Sequence, residues 1–214
     1  MLAVLDRFDR HPSDHSLARS MHRDRKRIFI DRMGWDLPHA GHEERDAYDG
    51  PAATYMVVTG REEGQHMGSL RLLPTTGPHL LGDVFSHLCS GGIPRGPEIM
   101  EITRLCVSPD CPKDQSLAVR RRLVGALVEY ALLTGVRAYT MLTEVSLLSR
   151  VAALGWRCEM LGMPAAQGKD MIAALMVHVD PNTIPLLRRA GVYQERSIDR
   201  MELRPSAGHL MEAA

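Results

Sequence analysis

Residues 99–107 read IMEITRLCV, an apolar run long enough for a buried strand that nevertheless carries Glu101 and Arg104. Charges removed from water are costly unless paired, so each of the two needs a partner or a task. Strict strand alternation sends residues three apart to opposite faces. Glu101 and Arg104 therefore converge only if a bulge adds a residue between them, and bulges are frequent beside active sites. One reading of the pair is a structural ion pair; the other is a general base with an orienting arginine.

The elements around this strand set the fold class. After it, Leu117, Leu123, Val124, Leu127, Ala131 and Leu132 recur at helical spacing over 116–134, and Gly135 is a stop signal. A strand at 136–142, a helix at 145–154, strands at 156–161 and 172–179 and a helix at 181–189 follow. Before it, 2–5 reads as a short strand. A helix capped by Asp14 or Ser16 runs to about Arg32, with Leu17, Met21, Ile28 and Phe29 on one side. Residues 34–50 read as a polar loop, 54–59 and 66–73 as strands joined by a charged turn, and 80–89 as a short helix or extended segment. A meander followed by alternating strands and helices predicts an α/β fold: a mixed sheet with helices on both faces. The expected organisation is one domain over 1–205 and a polar tail over 206–214.

Composition removes several function classes. Lys+Arg and Asp+Glu are equal at 26 each, without the basic excess of a nucleic-acid binder. No run approaches the roughly 18 apolar residues of a membrane span. Cys89, Cys106, Cys111 and Cys158 show no CxxC and no metal spacing, as in a cytoplasmic protein with reduced thiols. His39 and His42 beside Glu43 and Glu44 hint at a metal site but match no zinc motif, so no metal is expected. GxxxxGK, a GxGxxG after a strand and GxSxG are all missing.

Two other stretches carry candidate chemistry. Asp46 and Asp49 in ERDAYDG are by default solvated loop acids, and Phe29 and Trp35 by default core. Together, an aromatic pair and two carboxylates suit a cationic ligand. The connection 71–85, RLLPTTGPHLLGDVF, is longer and stiffer than a two-residue hairpin and joins Arg71 to Phe85 through Pro74, Gly77 and Pro78.

Taken in order, RxxxF…GW from Arg25, DxYD from Asp46, RLLPTTGPHLL…F from Arg71 and ExTR from Glu101 resemble the LuxI-type acyl-homoserine-lactone synthases, the quorum-sensing autoinducer synthases. The resemblance spans about Met21 to Val107 and weakens afterwards. It implies a GNAT-like αβα sandwich with a mixed, splayed central sheet. It implies S-adenosylmethionine as a consumed substrate, with no separate cofactor, and an acyl-acyl carrier protein, or acyl-CoA, as donor. Glu101 would be the base, and Arg71 and Arg104, the other catalytic candidates, would pair with the acids and hold the pocket in place. Arg25, Phe29, Trp35, Asp46 and Asp49 would lie on the S-adenosylmethionine side, and Phe85 would wall the cleft.

The acyl chain would lie near Met141, Leu142 and Thr143, between the sheet and helices 116–134 and 145–154. Met141 stands where some members keep a threonine that favours 3-oxo chains, a departure that points to an unsubstituted chain. Arg120, Arg121 and Arg122 form the densest basic cluster, which favours the carrier protein as donor. Arg122 to Gly125 faintly matches a CoA phosphate loop. The competing expectations are a GNAT-like acyltransferase for another amine, which would need no Asp46, Asp49 or Trp35, and a catalytically silent binding domain.

Overall fold

The computed structural model describes residues 1–8, 11–195 and 197–202; the expected tail at 206–214 lies outside them. The strands are β1 (Leu2–Leu5), β2 (His39–Ala40), β3 (Glu43–Glu44), β4 (Thr54–Thr59), β5 (His66–Pro74), β6 (Ile99–Val107), β7 (Ala138–Glu144), β8 (Arg157–Met160), β9 (Ala165–Gln167), β10 (Asp170–His178) and β11 (Arg200–Glu202). The helices are α1 (Pro12–Arg25), α2 (Leu80–Asp83), α3 (Lys113–Thr134), α4 (Leu148–Ala152) and α5 (Thr183–Arg189). A mixed sheet runs β11-β1-β4-β5-β6-β7-β10-β8, with β9 also on β10; β2 and β3 form a separate ribbon.

Alternation along β4 and β5 builds two cores. Met56, Val58, Leu70 and Leu72 face Leu123, Val124 and Leu127 of α3 and Leu187 of α5. Tyr55, Val57 and Leu73 face Leu17 and Met21 of α1. Further along the α1 side, Leu81 of α2 and Leu88 pack on Ala174 of β10. The expected two-sided mixed sheet is present.

The boundaries depart from the sequence expectation where local chemistry decides them. α1 starts from His11, not from Asp14 or Ser16. Proline at the first position suits a helix start, and the Asp14 carboxylate accepts the His11 N–H at 3.1 Å. Beyond Arg25 the helix widens into a π turn over Lys26–Arg32. Residues 80–89 split into α2 and a tight turn at Ser86–Leu88. Residues 145–154 split into a tight turn at Val145–Leu147 and α4. α3 ends as expected, at Gly135 with φ +78°.

The sheet opens at one place. The parallel β6–β7 ladder runs from Ile99↔Ala138 only to Ile102↔Met141. Beyond it β6 stays with β5 as far as Val107, and β7 stays with β10 as far as Glu144. At the same point Arg104 and Leu105 together oppose Leu70, because the register passes from Arg71↔Thr103 to Ser69↔Cys106. Arg104 has φ +51°, the one positive value among the described non-glycine residues. This is the bulge without which alternation would send Glu101 and Arg104 to opposite faces.

Gly125 is not part of a phosphate loop. It lies inside α3, where an added Cβ would come 2.2 Å from the Ser197 hydroxyl. Gly125→Ala is expected to destabilise the fold by about 1–3 kcal/mol through overpacking, although alanine gains about 1 kcal/mol of helix propensity. Chemical denaturation measures this, and a more stable variant would mean that Ser197 is not seated against α3.

Candidate active site

The last turn of α1 points Arg25 inward, β3 contributes Glu44, and the loop after β3 contributes Asp46 and Asp49. β5 supplies Arg71, and the bulge brings Arg104 to the same face. Arg25 Nε donates to Glu44 at 2.6 Å, and its two terminal nitrogens grip Asp49 at 2.7 and 2.9 Å. Arg71 grips Asp46 at 2.6 and 3.0 Å and lies 2.8 Å from Asp49. Arg104 joins Glu44 at 3.1 Å to Asp46 at 2.8 Å. Tyr55 donates to Asp49 at 2.8 Å. Among the described residues, three guanidinium groups thus meet three carboxylates, and the network balances its own charge.

The side chains are nearly dry: Arg25 and Arg71 are 1% exposed and Glu44 0%. Burial pushes the Asp49 carboxyl up, yet Arg25 and Arg71 together hold it well below the ordinary carboxylate range. Glu44 was the acid missed in the sequence. Its signal lay in arithmetic, since three buried arginines need a third carboxylate beyond Asp46 and Asp49. The metal hint of the same segment fails because Glu44 is turned inward to Arg25 while His39 and His42 are exposed.

Phe29 and Trp35 stack at 5.1 Å and 19°. Gly34, at φ +73°, turns the chain so that the Trp35 N–H reaches the Phe29 carbonyl at 2.9 Å. Arg104 lies 5.6 Å from the Phe29 ring centre and Arg71 lies 5.8 Å from that of Tyr48. Trp35, at 37% exposed, is the outer wall.

Glu101 stands apart from the arginines. It is fully buried, and its carboxylate accepts the N–H groups of Leu80 and Leu81 at 2.8 and 2.7 Å. Burial raises its pKa against the pull of these bonds, His79 and Arg71. This explains the stiff connection at 71–85. The Thr75 hydroxyl lies 2.9 Å from the Ile99 carbonyl and accepts the Gly96 N–H at 3.1 Å. His79 Nδ1 donates to the Gly77 carbonyl at 2.8 Å. The loop is tied down on both sides, and its exit aims two backbone donors at Glu101.

Phe85 packs against the cluster of Leu81, Leu88 and Ala174, as Leu142 does, and not against the Phe29–Trp35 pair. The pleat separates the candidate acyl-pocket residues. Met141 packs into the α3 core, with Thr143 on its face of the strand, whereas Leu142 faces α2. Met141 and Leu142 nevertheless share the edge where β6 leaves β7.

His22 supports the network from α1. It is 2% exposed, and its Nδ1 donates to the Glu44 carbonyl at 2.9 Å. Burial first, then Arg25, lowers its pKa to about 4. A histidine whose folded pKa is depressed stays neutral in the native state and takes a proton more readily when unfolded. Folding stability should therefore fall as pH drops from about 6.5 toward 4, by up to roughly 3 kcal/mol. His22→Asn keeps a donor for Glu44 and cannot ionise, so its unfolding free energy should be flatter over that window. Parallel curves for the two proteins would remove His22 from the acid sensitivity.

Residues 9–187 match the autoinducer synthase family. An acyl-homoserine-lactone synthase of Rhizobium etli is 34% identical over 179 residues, covering 83% of this chain and 82% of that one. A solved CoA-dependent acyl-homoserine lactone synthase, BjaI, seen with methylthioadenosine and also with S-adenosylmethionine and isopentyl-CoA, is 27% identical. It superposes with a TM-score of 0.82 over 96% of this chain and 95% of that one. A putative N-acetyltransferase from Lactobacillus plantarum, 15% identical with a TM-score of 0.56 over 84% of this chain and 98% of that one, shares the fold. The chain belongs to the acyl-homoserine-lactone synthases, the autoinducer synthase family.

Proposed function

We propose that this protein makes an N-acyl-homoserine lactone from S-adenosylmethionine and an acyl thioester, with Glu101 as general base. The observation that carries the reading is a buried carboxylate of raised proton affinity beside a charge-balanced arginine network and an aromatic stack. The stack and the network suit a substrate that is both cationic and zwitterionic. Arg25, Phe29, Trp35, Asp46, Asp49, Arg71 and Arg104 form the S-adenosylmethionine side in this reading.

The substrate ammonium is not a nucleophile until it loses a proton, and Glu101 takes it, directly or through one water. The amine then attacks the thioester carbonyl, the carbon–sulfur bond breaks, and the thiolate leaves with the second nitrogen proton. The substrate carboxylate attacks the carbon beside the sulfonium, and that bond's electron pair stays on sulfur. Methylthioadenosine departs neutral, the lactone closes, and one proton is released per turnover. Ring closure needs mainly positioning, because a sulfonium is already a good leaving group.

The acyl chain enters where the sheet parts, meeting Met141 on one face and Leu142 and Phe85 on the other. Met141 and the absence of a threonine at its position favour an unsubstituted chain. For the donor we favour acyl-CoA, as in the CoA-dependent relative. The basic cluster is weaker than its sequence suggests, because Arg122 is engaged with Asp199 and the Ser197 carbonyl. Acyl-acyl carrier protein is the second reading, favoured by the remaining Arg120 and Arg121.

Incubating the purified protein with S-adenosylmethionine and matched acyl-CoA and acyl-carrier-protein donors, followed by mass spectrometry, tests the reaction and the donor together. Acylation of another amine without methylthioadenosine would favour the GNAT-like alternative. Glu101→Gln should lower kcat by about 10²- to 10⁴-fold while S-adenosylmethionine binding persists. Near-normal turnover would remove Glu101 as the base.

A further inference from the structure

Two ion pairs outside the buried network act on the π turn that carries Phe29. Lys26 Nζ donates to Asp31 at 2.7 Å within the turn. Arg27 reaches out of it: its terminal nitrogens grip Asp110 at 2.6 and 2.9 Å, and one of them also meets Asp24 of α1 at 3.0 Å. A two-pronged guanidinium–carboxylate pair fixes orientation as well as distance. Hydrogen bonds from Arg27 hold the Asp110 carboxyl below its ordinary range, so the pair stays charged at neutral pH.

Arg27 and Asp110 join two bodies that meet again at the site. Asp110 belongs to the turn that ends β6, and that turn is tied down. Its N–H donates to the Ser108 hydroxyl at 3.2 Å, the Cys111 N–H to the Ser108 carbonyl at 3.0 Å, and the Ser108 N–H to the Met67 carbonyl of β5 at 2.9 Å. The π turn is the looser body. Its hydrogen bonds are rewired, with the Met33 N–H on the Ile28 carbonyl at 3.0 Å, and such widened turns are frequent at functional sites. It carries Phe29, which stacks on Trp35 and faces Arg104 of β6 at 5.6 Å. Arg104 is itself committed to Glu44 and Asp46, so it meets the π turn with the face of a cation only. The hydrogen-bonded join between the π turn and the end of β6 is the one from Arg27 to Asp110. The pair is solvated, with side chains 38% and 72% exposed, so the core does not depend on it.

We propose that Arg27 and Asp110 are positioning residues for the S-adenosylmethionine side: their ion pair clasps the π turn to the end of β6 and so sets how the Phe29–Trp35 stack lies against Arg104. This rests on the substrate reading given above. Neither residue belongs to the buried network or to the stack, so the clasp acts through Phe29 on affinity and leaves the chemical step alone.

The test is calorimetric titration of S-adenosylmethionine into the purified protein and its variants. Asp110→Asn and Arg27→Gln should each weaken binding by about two- to fivefold, the range that an exposed ion pair supplies. The double variant should bind no more weakly than the weaker single one, because both break the same contact. Asp31→Asn removes an acid from the same turn without reaching β6, and it should bind as the wild type does. The signs separate a clasp from a field effect. S-adenosylmethionine carries a net positive charge, so through the long-range field alone a lost arginine would tighten binding and a lost aspartate would weaken it. The clasp weakens binding in both. Turnover at saturating S-adenosylmethionine should stay within about twofold of wild type, and Asp110→Asn should melt at the wild-type temperature. Arg27→Gln also gives up Asp24; if it does not fold, Asp110→Asn read against Asp31→Asn decides alone. Wild-type affinity in Asp110→Asn, or tighter binding by Arg27→Gln, overturns the proposal. A wild-type protein that does not bind S-adenosylmethionine removes the substrate reading and the clasp with it. A wild-type protein that binds, beside an Asp110→Asn variant that binds equally well, removes only the clasp.

Discussion

Three buried arginines can exist at this site only because three carboxylates meet them. A buried charge deprived of its partner destabilises a fold by about 3–5 kcal/mol, so none of the six can be lost alone without penalty. The six come from α1, β3, the loop after it, β5 and β6, which binds the N-terminal layer to the sheet at a fixed distance. The bulge at Arg104 depends on the same contacts. A left-handed arginine costs about 1–3 kcal/mol, and it is held there by Glu44 and Asp46. That bulge coincides with the point where β6 parts from β7, so the ion network and the opening in the sheet are linked through one residue.

Glu101, the proposed base, is left out of the network. A carboxylate gripped by two arginines, as Asp49 is, holds its charge too firmly to accept a proton. Backbone N–H groups steady Glu101 with partial charges only, and its burial pulls toward the neutral acid. Two kinds of carboxylate therefore meet on this side of the sheet: one kind is fixed by arginines, and the other, in the proposed mechanism, is able to cycle.

Much of this was legible in the residues. The charged pair inside IMEITRLCV could reach one face only through a bulge, and the bulge is there. The paired acids of DAYD and the arginines flanking them fell into one cluster, as their resemblance implied. What escaped was set by distant contacts. Glu44 looks like one acid among several in HEERD until the buried arginines are counted. β11 is the three-residue segment Arg200–Glu202, too short to give a strand signal, and it becomes a strand because β1 offers an edge. The π turn after α1 gives no signal distinct from helix in KRIFIDR. The pleat that puts Met141 and Leu142 on opposite faces was readable from alternation, but the parting of the sheet between them was not.

The pairing of β1 with β11 has a consequence for how the chain is made. Ala3 meets Arg200 and Leu5 meets Glu202, so the first strand waits for nearly the last described residues to leave the ribosome. Until then β1, fully buried in the finished protein, can pair only with β4 and keeps one hydrogen-bonding edge open. Contacts so distant along the chain close slowly, and an apolar open edge is what chaperones and aggregation compete for. The strand edge that closes last is thus the one next to β4, whose Tyr55 reaches the candidate site through Asp49.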